Sequence, residues 1–299
     1  MSLMNQDGIL HISLLEGQAR AILIESTAMV QRAKEIHGLS KIASAALGRT
    51  LSATAMMGSM LKGRDESVTA SIRGGGPIGT VLAVADSNGC VKGYVDHPEI
   101  DLPRTGPKLP VGAAVGRDGR LTVIKDMHLR EPYVGQVNLV SGEIAEDFAM
   151  YFTASEQTPS LVSLGVLVSD EKVEAAGGLI VQMLPGASEA ALQSVENSAG
   201  MFMDISGTIK EYHLDGAVDQ LLMHLQPVVL ERRESRYECD CSRGRVERAL
   251  ITLGAKELND MIDTQHGAQV DCHFCNKRYT FTEDDLRQLL AAATAKPKD

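Results

Sequence analysis

Two close cysteine pairs near the C-terminal end constrain this chain more than any other feature. They are Cys239-Asp240-Cys241 and Cys272-His273-Phe274-Cys275, with the 30 residues from 242 to 271 between them. Only one other cysteine, Cys90, is present. Two close pairs flanking a small structural unit are how a chain builds a tetrahedral thiolate cage for Zn²⁺. Cys239, Cys241, Cys272 and Cys275 are therefore the predicted metal ligands, for one zinc ion per chain. His266 and His273 are candidate substitutes, but four thiolates already complete a tetrahedral site. The intervening residues carry helical patterns at 246 to 253 and 256 to 262. Residues 278 to 281 read as a strand, and Thr282 is placed to cap a last helix, with Asp285 three residues on.

The same spacing permits sulfur redox chemistry. Each pair is close enough to form a disulfide within itself after local rearrangement, and metal-bound thiolates are the form that oxidants attack. Oxidation consumes the ligands. A module of about 60 residues then loses a metal contribution of about 10 kcal/mol, against the few kcal/mol that so small a core supplies. The module is expected to unfold and expose apolar surface. Arg236, Arg243 and Arg245 lie close in sequence and are candidates to offset the charge of four thiolates.

The rest of the chain reads as a β-rich body. Strands are expected at 9 to 14 and 20 to 24, then helices at 28 to 37 (capped by Thr27) and from 41 to about 62 (capped by Ser40). Residues 68 to 72 alternate with period two, and Asp86-Ser87-Asn88-Gly89 joins strands at 81 to 84 and 91 to 95. A second hairpin is expected at 117 to 120, a loop at 97 to 110 and a helix at 143 to 155. Strands follow at 160 to 169 and 174 to 184, then helical patterns at 188 to 199 and 216 to 225. Pro185-Gly186 and Gln226-Pro227 mark boundaries, and the charged run 231 to 236 reads as a solvated face. The fold class is α+β: an N-terminal β-rich core with packed helices and a small C-terminal zinc-binding domain.

Charge narrows the partners. Residues 232 to 299 carry as many acidic as basic side chains, so the net charge of −10 resides in residues 1 to 231. An acidic body argues against nucleic acid, which needs a basic surface. No apolar run approaches the roughly 18 to 20 residues that span a bilayer, and residues 1 to 7 lack a signal-like pattern. A cytoplasmic location is expected.

Several motifs also carry a family resemblance. Cys239-Asp240-Cys241-Ser242-Arg243 with Cys272-His273-Phe274-Cys275, the stretch 71 to 77 (SIRGGGP), 151 to 160 (YFTASEQTPS) and 176 to 186 (AGGLIVQMLPG) together resemble the redox-regulated heat-shock chaperones of about thirty-three kilodaltons. The resemblance spans nearly the whole chain. It implies a core domain at 1 to 178, a helical linker at 179 to 231 and a zinc-binding redox-switch domain at 232 to 299. It implies an ATP-independent holdase that is zinc-bound and inactive when reduced. On oxidation zinc leaves and Cys239–Cys241 and Cys272–Cys275 disulfides form. The linker then loosens, and the protein dimerises and binds unfolding clients, later passing them to ATP-dependent chaperones. Members commonly carry Glu where this chain has Gly244, and glycine in a first helical turn costs up to about 1 kcal/mol relative to alanine.

Two other functions compete: a zinc-ribbon nucleic-acid module, disfavoured by the balanced charge of the tail, and a thiol–disulfide oxidoreductase, which would work without unfolding. No hydrolytic or transfer site is evident, and no enzyme activity is expected. Gly74-Gly75-Gly76-Pro77-Ile78-Gly79 matches a dinucleotide fingerprint but runs into a strand rather than a helix, so it reads as a turn. Ser59-Met60-Leu61-Lys62 lacks the partner motifs of an acylating serine and reads as a helix end. Cys90 reads as a small buried residue beside a hairpin turn.

Overall fold

The computed structural model describes residues 7 to 104, 106 and 108 to 295. The signal-sequence reading of residues 1 to 7 thus falls almost wholly outside the described residues. The chain divides into two compact units between Glu238 and Cys239.

The larger unit is built on two sheets. The first takes β1 (Gly8–Leu14), β2 (Ala19–Glu25), β8 (Ser160–Val168), β9 (Val173–Met183) and β10 (Val228–Glu234) in the order β10-β1-β2-β9-β8. The second takes β3 (Ser67–Arg73), β4 (Thr80–Asp86), β5 (Cys90–Val95), β6 (Arg120–Asp126), β7 (Tyr133–Asn138) and the two-residue β11 (Arg236–Tyr237), in the order β11-β5-β4-β3-β6-β7. Both are antiparallel except where the short β11 runs parallel to β5. In β3 to β5 alternate residues are buried, as a half-buried sheet requires.

Helix α2 (Lys41–Ser59) packs against strands of both sheets. Every residue in it except Lys41 and Arg49 is buried. A helix buried all round must be apolar or small on every face, which accounts for its run of Ala, Ser, Thr and Gly. At Gly48 even a methyl group would meet Val30 and Val166 at 2.8 and 2.9 Å. Ser40 caps the helix as expected, accepting from the Ala43 N–H at 3.1 Å. The opposite face of the five-stranded sheet carries a second core, in which Leu10, Ile12, Leu179 and Val181 meet Ile209, Leu214 and Leu221 of α6 (Ile205–Leu222).

Two local expectations are corrected, and one strand goes beyond the sequence reading. Thr27 does not cap α1 (Thr27–His37); its hydroxyl is spent on the main chain of Ala176. The cap is Asp7, whose carboxylate accepts from Ala28 and Met29 N–H at 2.9 and 2.5 Å. The helical stretch expected from 216 begins at Ile205, but it breaks at His213 (φ 54°, ψ −172°). Glu25 accepts the Leu214 N–H at 2.9 Å and so restarts the helix. Finally, residues 228 to 234 form strand β10, paired antiparallel with β1, although every residue in it but Arg233 is exposed.

The remaining helices of this unit are α3 (Val111–Val115), α4 (Ala145–Ala154) and α5 (Glu189–Ser198). Buried Asp147 organises the start of α4, accepting from Val140 N–H at 2.7 Å and Ile144 N–H at 3.0 Å. The glycine run at 74 to 76 is a tight crossing. A Cβ on Gly74 or Gly76 would come within 2.3 Å of the carbonyl of Gly116 or Ala114, so the dinucleotide-like motif serves backbone packing.

The smaller unit contains α7 (Arg243–Leu253), α8 (Ala255–Gln265), the hairpin β12 (Gly267–Asp271) and β13 (Arg278–Thr282), and α9 (Glu283–Ala295). Its core is Leu250, Leu258, Ile262, Tyr279, Phe281 and Leu286. Ser242 caps α7. Thr282 and Asp285 form the reciprocal cap expected from the sequence: the Thr282 hydroxyl accepts from Asp285 N–H and the Asp285 carboxylate accepts from Thr282 N–H.

Candidate metal and redox centre

Cys239 and Cys241 lie on the loop that leads into α7. Cys272 and Cys275 occupy the turn between β12 and β13. That turn is fixed by its own backbone. Cys272 N–H donates to Lys277 C=O at 3.0 Å, and Cys272 C=O accepts from Cys275 and Asn276 N–H at 3.3 and 2.8 Å. Asn276 takes the left-handed conformation (φ 56°) that this closure needs and that asparagine tolerates.

The two loops bring all four sulfurs within 4.8 Å of one another. Cys239 Sγ lies 3.7 Å from Cys272 Sγ, and Cys241 Sγ 3.3 Å from Cys275 Sγ. All four residues are half-buried. Neither His266 nor His273 joins the cluster, and His266 Nδ1 instead meets Glu283 at 2.9 Å. The donor set is four thiols with sulfur spacing suited to one tetrahedral ion, which is the preference of soft, thiolate-binding metals. The structure therefore brings together all four ligands predicted from the sequence.

The thiols are not equivalent. Burial pushes Cys239 and Cys275 above the usual thiol range. Burial acts on Cys241 too. However, the Tyr279 hydroxyl donates to its sulfur at 3.2 Å, and hydrogen bonds with Cys275, Cys239 and Cys272 add to this, bringing its pKa down to about 7. Tyr279 in turn is pushed up to about 12, chiefly by that hydrogen bond. Sequence reasoning missed Tyr279. The alternation of Arg278-Tyr279-Thr280-Phe281, which turns Tyr279 and Phe281 inward, was the available signal.

The three arginines offered as counter-charges are engaged elsewhere. Arg236 pairs with Glu238 at 2.5 Å and Arg245 with Asp240. Arg243 pairs with Glu247 and Asp285 and lies 4.5 Å over the Phe281 ring. Cys90 belongs to the larger unit. Its thiol faces the Glu238 carboxylate at 3.5 Å, and burial followed by the Asp86 charge raises its pKa to about 11, so it is a poor nucleophile.

An α+β body of two sheets followed by a separate four-thiol module defines a class: a protein with a metal-capable cysteine centre on its own small folding unit. Comparison with known proteins gives the family. The family model described as "Hsp33 protein" matches residues 7–282. The chain is 45% identical over 285 residues to a 33 kDa chaperonin of Alkaliphilus metalliredigens, covering 94% of this chain and 98% of that one. It is 44% identical over 287 residues to a 33 kDa chaperonin of Clostridioides difficile, covering 95% and 99% respectively. The crystal structure of the 33 kDa chaperonin (heat shock protein 33 homolog) of Thermotoga maritima superposes with a TM-score of 0.88 at 35% identity, covering 98% of this chain and 100% of that one. The chain belongs to the Hsp33 family of chaperones.

Proposed function

We propose that this chain is a redox-regulated, ATP-independent holdase whose switch is the four-cysteine module. The observation that carries the reading is the meeting of four sulfurs on a unit whose core, among the described residues, is a cluster of six buried side chains. Cys239, Cys241, Cys272 and Cys275 hold one Zn²⁺ in the reduced protein. Bound zinc supplies a charge that keeps four sulfurs as thiolates and a cross-link that joins the α7 loop to the β12–β13 turn.

Oxidation by a peroxide or hypochlorous acid removes two electrons from each pair. Cys239–Cys241 and Cys272–Cys275 disulfides form, the oxidant is reduced to water or to chloride and water, and the metal loses its ligands. The link between the two loops is then lost, because each disulfide closes within one loop. A core of Leu250, Leu258, Ile262 and their neighbours does not hold a unit of this size alone. The module loosens together with the helical part of the 179 to 231 linker that follows β9, and the exposed apolar surface binds unfolding proteins. Homodimerisation and transfer of clients to ATP-dependent chaperones complete the cycle, which runs in the cytoplasm; no catalytic turnover is involved. Among the described residues no helix is long and apolar enough to cross a membrane.

The test measures zinc content, free thiols and suppression of client aggregation before and after oxidation. One zinc and four reactive thiols in a silent protein, with no zinc and two disulfides in an active one, is the expected result. An oxidised, zinc-free protein that keeps full amide protection in residues 239 to 295 overturns it.

A further inference from the structure

The body of this protein is acidic, but one groove on it has the opposite sign. An open groove of about 1060 Å³ lies where the C-terminal end of α2, the loop after it and the β4–β5 turn approach β1, β2 and β10. Five cationic side chains line it: Arg20 from β2, Lys62 and Arg64 from the loop after α2, Arg233 from β10 and Arg236 from β11. Glu231 and Glu234 line it with them, and the Glu66 carboxylate is turned onto the Lys62 and Gly63 N–H groups of the loop.

Two of the five are spoken for. Arg233 meets Glu231 at 2.8 and 3.0 Å, and Arg236 meets Glu238. Three are not. The Arg20 guanidinium donates to the neutral carboxamide oxygen of Gln182 at 2.9 and 2.7 Å, so its charge stays uncompensated. Lys62 and Arg64 are exposed and make no ion pair among the described residues. The local field reaches the groove wall. His11, hydrogen-bonded to Ser59 at 2.9 Å, is held below the usual histidine range by burial, with Arg233 and Arg20 acting in the same direction and Glu231 opposing them.

Cations on three sides of an open groove fit an extended anion better than a compact one. Arginine forks match phosphate oxygens, and lysine contributes a point charge. No Phe, Tyr or Trp lines the groove, and its one ring, His11, is half-buried and hydrogen-bonded to Ser59, so it is a poor platform for stacking a base. We propose that this groove binds a linear inorganic oligophosphate, with Arg20, Lys62 and Arg64 as its principal contacts. A bound chain of phosphates bridges the loop after α2 to β2. The site stands independently of the redox switch.

The experiment uses the full chain, reduced and metal-loaded, with tripolyphosphate as the probe in calorimetric titration. Tripolyphosphate is expected to bind at least about tenfold more tightly than orthophosphate, with affinity falling as salt rises. Replacing Lys62 and Arg64 together by alanine is expected to weaken binding by about tenfold or more, since the two exposed charges together contribute at least about one charge-assisted contact. Arg20→Gln is expected to weaken it on its own. The double variant K172A/K210A removes the same charge elsewhere on the body and is expected to leave binding nearly intact. Equal losses in the two double variants, orthophosphate binding as tight as tripolyphosphate, or ATP binding tenfold tighter than tripolyphosphate each overturn the proposal. Because Lys62 and Arg64 are exposed loop residues, an unchanged unfolding midpoint in that variant shows that the loss is one of binding.

Discussion

The two units of this chain use the same kinds of element but are held by different physics. The larger one buries α2 on all sides and stacks a second core on the far face of its five-stranded sheet. The smaller one, among the described residues, closes six buried side chains beneath two loops that bring four sulfurs together. Burial spread over many residues resists any single chemical event. A fold that relies on four atoms can be switched by chemistry at those atoms.

Removing the metal should separate the two most sharply. Chelation, or Cys272→Ser, forfeits a contribution of about 10 kcal/mol. Amide protection is expected to vanish from α7, α8 and the β12–β13 hairpin while persisting in β2 and β9. Protection surviving in both units would break the comparison.

A cavity of equal size placed in each unit gives the next largest contrast. Leu258 and Leu47 are both fully buried. Leu→Ala at such sites costs about 2 to 5 kcal/mol. In the larger unit L47A is expected to lower the unfolding midpoint while the unit remains folded. In the smaller unit L258A is expected to consume most of the available stability, giving zinc release at milder oxidant than the parent. Similar oxidant thresholds for L258A and parent would show that the module's core matters more than its size suggests.

A pH test addresses the larger unit alone. Burial, opposed by the hydrogen bonds of Ala28 and Met29 and aided by the nearby Glu25 charge, raises Asp7 from 3.8 to about 7. Between these values the folded chain retains a proton that the unfolded chain has lost. Its contribution to stability is therefore greatest below about pH 4, declines as pH rises to about 7 and then levels off. Asp7→Asn, which keeps a carbonyl acceptor for the start of α1, is expected to flatten that decline in denaturant midpoints. Parallel curves for variant and parent would count against it.

The smallest effect is expected at Gly244. A Cβ there meets only Arg248 Nη1, at 3.9 Å, and the residue does not occupy the left-handed region. Gly244→Ala is expected to stabilise α7 by up to about 1 kcal/mol. Unfolding after oxidation should slow accordingly in stopped-flow fluorescence with an apolar dye.

The sequence was most legible where a residue's role is local. The four cysteines were readable because ligand spacing is a short-range pattern, and β3 to β5 because one face of each is buried. The Thr282–Asp285 cap was readable for the same reason. Strand β10 was hidden, because an edge strand exposed on both faces has no alternation to read. The cap on α1 was hidden because Asp7 reaches it from 21 residues away. The break at His213 depends on Glu25, 188 residues distant, and no local pattern encodes that. Tyr279 reads as an ordinary core aromatic until the fold sets its hydroxyl against Cys241.

The path of the backbone just before the first cysteine has a mechanical consequence. β10 is sewn to one sheet through β1, and β11 to the other through Arg236↔Cys90 and Tyr237↔Val91, with the Tyr237 hydroxyl donating to Gly93 C=O at 2.7 Å. A pull on the chain at Cys239 loads the short β11 seam first. Once that parts, β10 peels from β1 one rung at a time. The tether fails as a zip fastener does, from its end inwards, and the four strands β1, β2, β9 and β8 stay joined beneath it.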